Sequence, residues 1–174
     1  MNKLASLLVL ALMAGCMHKA PPLTDTATVN GLRIELHVMA AEPFFTAAQV
    51  AATRVEHGML IMGGALPMAP QATPKPNHHL VVNVYNETTN TTVTDAQVTL
   101  SFQPLDSNGA PMGALVDVPV VVMQEIGKGS VSTHYGNNVT MPAGDYLVTA
   151  MVNGNKAEFK ITAADTTSDA MKGL

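Results

Sequence analysis

Six histidines and twelve methionines stand beside a single cysteine. Thioether sulfur and imidazole nitrogen together suit copper, above all Cu(I), because soft donors favour soft ions. His78 and His79 open an alternating apolar run. Strand alternation sends their rings to opposite faces, so only one of them joins a given site. His134 lies in Ser132-Thr133-His134-Tyr135-Gly136, after a glycine-rich loop and ahead of a strand, and Met123 ends the strand before that loop. The competing reading of Met123 is core packing, where methionine most often serves. His57, Met59 and Met62 form a second soft group on spacing alone, against a plain apolar patch. His57 could equally complement the C-terminal end of a helix. His37 is an isolated strand histidine.

Enzyme templates are missing. The chain has no G-x-S-x-G, H-E-x-x-H, G-x-G-x-x-G or Walker loop. Gly127-Lys128-Gly129-Ser130 lacks phosphate-loop spacing and a following helix, and reads as a flexible loop. Glu125 and Asp145 are isolated carboxylates that nominate no acid/base pair. The expectation is a protein that is not an enzyme.

The positioning elements read as strands. Leu32, Ile34, Leu36 and Val38 alternate with Arg33, Glu35, His37 and Met39, a half-buried strand. Thr46-Ala47-Ala48-Gln49 is a capping box that predicts a short helix over 47–57, stopped by Gly58. Four prolines between Pro67 and Pro76 predict a stiff connector. Further strands follow around Leu80–Val84, Ala96–Phe102, Val118–Val122, Val139–Met141, Tyr146–Val152 and Ala157–Ile161. Pro119 predicts an edge strand, and Asn153-Gly154 a tight hairpin. About seven strands with turns every 8–12 residues predict an all-β, immunoglobulin-like sandwich with a short helix in an N-terminal insertion.

Met1-Asn2-Lys3 and the apolar run Leu4–Met13 read as an export signal, and Met13-Ala14-Gly15-Cys16 resembles a lipobox with Cys16 as the lipidated residue. Removing the first 15 of 174 residues leaves 159 and, with Lys3 gone, takes the net charge from −4 to −5. An acidic chain without basic clusters argues against nucleic acid as a partner. With no second cysteine, an internal disulfide and thiolate metal clusters are excluded. The expected organisation is a signal peptide at 1–15, a lipidated tether at 16–28, a sandwich at 29–162 with an insertion at 44–77, and a flexible tail at 163–174. The expected location is the periplasmic face of the envelope, anchored by lipid, with the outer membrane favoured.

His134-Tyr135-Gly136-Asn137-Asn138-Val139, then Met141, then Gly144-Asp145-Tyr146-Leu147-Val148-Thr149, resembles the core of the periplasmic high-affinity iron-transport proteins, a family that includes a treponemal lactoferrin-binding lipoprotein. His79-Leu80 resembles the family's strand-opening histidine, and Met123 its upstream methionine. The resemblance implies an immunoglobulin-like fold, often dimeric, that binds copper through histidines and a methionine and supports iron uptake beside a membrane permease. It implies His79, Met123 and His134 as ligands of a copper or iron ion. The family's later histidine has no counterpart, Val81 stands where the family is acidic, and the loop from Met123 to His134 is longer. The implied site is then incomplete, rebuilt with His78, His37 or Met59, or lost. Copper-resistance periplasmic carriers are a less specific resemblance.

Two functions remain in view. A metal-binding envelope lipoprotein predicts that His79, Met123 and His134 converge. A non-catalytic scaffold of an envelope complex predicts dispersed histidines and an exposed apolar patch, with the 44–68 insertion as contact surface.

Overall fold

The computed structural model describes residues 23–64 and 75–164. The expected signal peptide, the expected lipidation site at Cys16 and most of the expected proline connector and C-terminal tail lie outside the described residues.

Strand formation follows the alternation. The strands are β1 (Leu23–Val29), β2 (Leu32–Ala40), β3 (Phe44–Phe45), β4 (Met59–Gly64), β5 (His78–Asn86), β6 (Val98–Pro104), β7 (Val116–Val118), β8 (Val121–Glu125), β9 (His134–Val139), β10 (Gly144–Val152) and β11 (Asn155–Ala163). They form a seven-stranded sheet, β1-β2-β5-β9-β8-β4-β3, and a four-stranded sheet, β11-β10-β6-β7. Pairing is antiparallel except between β3 and β4. Within these orders β2-β5-β9-β8 and β11-β10-β6-β7 are the A-B-E-D and G-F-C-C′ sheets of an immunoglobulin sandwich. The Tyr146 hydroxyl near the start of β10 donates to the Pro142 carbonyl at 2.8 Å, the corner that such sandwiches make at this strand. The main core lies between the sheets, built on Ile34, Leu36, Leu80, Val82, Phe102, Val148 and Phe159.

Eleven described strands exceed the expected seven for two reasons. First, Leu23–Val29 is not tether but strand, paired along its whole length with β2. Its β-branched threonines favour extended backbone, and Leu23, Ala27 and Val29 pack on the core. Second, the insertion contributes β3 and β4, which extend the larger sheet.

The helix α1 covers only Ala47–Thr53. Both halves of its capping box form, Gln49 N to Thr46 Oγ1 at 3.3 Å and Thr46 N to Gln49 Oε1 at 2.8 Å. Arg54, left-handed at φ 51°, ends it, so His57 lies beyond the helix and does not cap its dipole. The predicted strand at Val118–Val122 is broken at Pro119. Val118 belongs to the smaller sheet and Val121 to the larger one, so the proline marks the crossing between layers. It has no N–H to leave unsatisfied there, and its carbonyl accepts from Asn137 Nδ2 at 2.6 Å. The tail begins later than expected, because Ala163 is buried and paired with Gly144.

Candidate functional site

The outer face of the larger sheet is not left to solvent. The segment β3-α1-β4 folds beside it, and a second apolar cluster of Met59, Val81, Val121 and Met123 forms there, with Met39, Phe44 and Ile61 against it. β9 therefore reads polar, His-Tyr-Gly-Asn-Asn-Val, yet all six residues are buried. A fully buried polar strand needs a partner for each polar atom, and tracing those partners defines the site.

Register places Met39 of β2 and Asn138 of β9 on either side of His79. One step along, Val81 faces Gly136, and next His134 faces Met123 of β8. The His79 and His134 rings meet edge to face, centroids 5.7 Å apart. Gly136 sits between them in the pattern. A β-carbon there would lie 2.1 Å from the Leu80 carbonyl oxygen and 2.7 Å from Val81 Cα. The glycine of the His-Tyr-Gly segment thus lets β5 and β9 approach. Tyr135 points the other way into the main core, where its hydroxyl donates to the Val93 carbonyl and accepts from the Ala96 amide.

The two rings are held alike. His79 Nδ1 is 2.9 Å from Asn138 Oδ1. Asn138 Nδ2 donates to the Glu42 carbonyl at 2.7 Å and Oδ1 accepts from the Glu42 amide at 3.2 Å, which sets the amide's orientation. Oδ1 therefore accepts, and the His79 proton resides on Nδ1. His134 Nδ1 donates to the Ser132 carbonyl at 2.7 Å. That carbonyl belongs to a 3₁₀ turn, Gly129–Ser132, formed by the glycine-rich segment predicted as a flexible loop. Ser132 Oγ donates to Gly129 O and accepts from the Glu125 amide, closing the turn. Both Nε2 atoms are left with their lone pairs, buried and without a hydrogen-bond partner among the described residues.

Burial, with the neighbouring His134, lowers the His79 pKa to about 3, against a smaller opposing effect of Asn138. Burial likewise lowers that of His134, opposed by its bond to Ser132 and by Glu125. Both rings are neutral at neutral pH. A neutral imidazole with Nδ1–H anchored to a carbonyl-type oxygen and a free Nε2 lone pair is the form in which histidine binds a metal.

A cleft of about 570 Å³ lies beside the pair, lined among others by His37, Met39, His57, Met59, His79 and His134. The expected ligands divide as follows. His79 and His134 come together. Met123 is fully buried in the second cluster across from His134, but the cleft is not lined by it. His78 points to the opposite face, its Nε2 3.0 Å from the Ala164 carbonyl. His37 is half-buried, with Nδ1 3.2 Å from Thr24 Oγ1 and Nε2 3.7 Å from Glu35. His57 is exposed at the rim, and Met59 is buried within the cleft. Met62 is the extra residue of a bulge in β4 and is exposed. Sequence reasoning missed Met39, Asn138 and Phe44, whose ring lies edge-on to His79 at 5.6 Å. The alternation of β2 carried a signal for Met39, which shares a face with His37.

Among the described residues, no three His, Cys, Asp or Glu side chains are placed to hold a metal ion. The thioethers of Met39 and Met59 line the same cleft as the imidazole pair. No family model, curated protein or solved structure matches this chain.

Proposed function

We propose that this chain is an envelope metal-binding protein that takes up, delivers or buffers a transition-metal ion, copper or iron, at His79 and His134. One observation carries the reading. Two neighbouring imidazoles are buried, neutral and anchored through Nδ1, with both Nε2 lone pairs unsatisfied beside one cleft. A buried acceptor without a partner costs about 1–3 kcal/mol, and a bound ion removes that cost at both atoms. The resemblance of the His134–Val139 segment to the iron-transport proteins supports the same reading and suggests a membrane permease as partner. Lipidation at Cys16 would hold the protein at the outer membrane, and a homodimer fits the same resemblance.

The test is a copper titration of the chain from Met17 onward, which retains every described element, against a competing chelator. Stoichiometric binding that a His79→Ala/His134→Ala variant abolishes is the expected result. Weak binding indifferent to that variant would turn attention to the second reading, an interaction module. Exposed Met112 and Leu115, with Val116 of edge strand β7, favour that alternative.

A further inference from the structure

Two imidazole nitrogens are too few to enclose an ion, and the groups around them differ in kind. Glu35, Glu42, Glu56 and Glu125 line the same cleft. None of these carboxylates joins the histidines in a three-member donor group. Two thioethers line it as well. Met39 is the direct cross-strand neighbour of His79, and side chains so opposed share a face with β-carbons about 5 Å apart. Met59 begins β4, is 8% exposed and lines the cleft with both histidines. Met39 and Met59 also belong to the apolar cluster that holds Phe44 against His79. Met123 contributes no surface to the cleft.

The geometry points to a cuprous site in which Met39 and Met59 supply two thioether ligands beside His79 Nε2 and His134 Nε2, with Met123 serving as packing. This rests on the reading that His79 and His134 bind a metal. All four donors are neutral, so the donor set itself cancels none of the ion's charge, and the carboxylates of the cleft stand outside it. That favours a monovalent ion over a divalent one, because the cost of burying charge rises steeply with its magnitude. Sulfur donors favour Cu(I) further, whereas Fe(II) and Zn(II) gain from the anionic oxygen or thiolate ligands this donor set lacks. The ion arrives and leaves as Cu(I), so no electron is exchanged with the protein.

The experiment is competition for Cu(I) with bathocuproine disulfonate under reducing conditions, with a parallel Zn(II) titration, on the chain from Met17 onward. The variants are Met39→Leu, Met59→Leu, the double variant, Met123→Leu and His79→Ala/His134→Ala. Leucine nearly conserves volume, and urea unfolding of each variant verifies the fold. Loss of one soft ligand is expected to weaken Cu(I) by about 10-fold or more and loss of both by about 100-fold, with Zn(II) little changed and Met123→Leu near wild type. Copper K-edge absorption should show sulfur scatterers near ~2.3 Å that vanish in the double methionine variant. Binding that needs the histidines but ignores Met39 and Met59 would overturn the thioether assignment and leave the metal reading intact. Zn(II) bound as tightly as Cu(I) would overturn the cuprous preference. A wild-type chain that binds neither ion would overturn the cuprous site, and one that in a parallel titration also fails to bind Fe(II) would overturn the metal reading.

Discussion

Replacing Gly136 by alanine tests the geometry that brings the two histidines together. The added methyl would lie 2.1 Å from Leu80 O, 2.7 Å from Val81 Cα and 2.8 Å from Val81 Cγ1, where ordinary contact begins near 3.4 Å. Two of these three atoms are backbone, so no side-chain rotation relieves the clash, and β5 and β9 must part locally by more than about 1 Å. Overpacking of this kind costs about 1–3 kcal/mol, and weakening a ladder hydrogen bond or two adds about 1 kcal/mol. The expected loss is about 2–4 kcal/mol, a large part of a typical stability of roughly 5–15 kcal/mol. Equilibrium urea unfolding measures it. Gly63→Ala is the control, because no heavy atom lies within 4 Å of its added carbon and its φ is not positive. It should stay within about 0.5 kcal/mol of wild type. The same separation would draw His79 from His134, so Gly136→Ala should also weaken metal binding. A Gly136→Ala protein as stable as the Gly63→Ala control would refute the close-approach argument.

Asn138→Leu removes the group that sets the His79 tautomer, and should weaken metal binding about 10–100-fold in chelator competition; unchanged affinity would mean that ring packing against Phe44 orients His79 unaided. The metal-free protein should lose stability as pH falls. His79 stays neutral in the fold until about pH 3 while the unfolded chain binds its proton near pH 6.5, so stability is complete above that value and declines below it. The slope is roughly 1.4 kcal/mol per pH unit, or about 2 kcal/mol between pH 6.5 and 5 from His79 alone; His134 and His37 shift in the same direction. Urea midpoints that are flat between pH 7.5 and 5 would contradict neutral burial. Tyr146→Phe deletes the corner hydrogen bond to Pro142 and should cost about 1 kcal/mol in urea unfolding. Arg54→Gly relieves a left-handed arginine at the helix end and should raise stability by up to about 1 kcal/mol, read as a higher thermal midpoint.

Much of the frame was legible from residue order. Period-two alternation located β2, β5, β6, β10 and β11, and Asn153-Gly154 marked the β10–β11 hairpin, with φ of 49° and 80°. Alternation also required His78 and His79 to part company, and they do. The capping box placed the start of α1 but not its end, because a helix with no buried residue has no apolar stripe to define its length.

What residue order by itself determined is which side chains share a face, since that follows from local backbone geometry. It could not say what covers that face. Met123 was expected either in the core or in the site, and it lies in neither the main core nor the cleft but in a second cluster that exists only because the insertion packs on the outer sheet. Pro119 announced an edge and became a crossing between sheets. Leu23–Thr28 read as tether because its pairing partner was a separate strand. Met39 became a neighbour of His79 through the register between β2 and β5, two strands separated by the whole insertion. Each of these outcomes depends on non-local pairing and on which surfaces are left to bury. Tertiary structure settles those questions, because burial is a property of the assembled layers and not of any one strand.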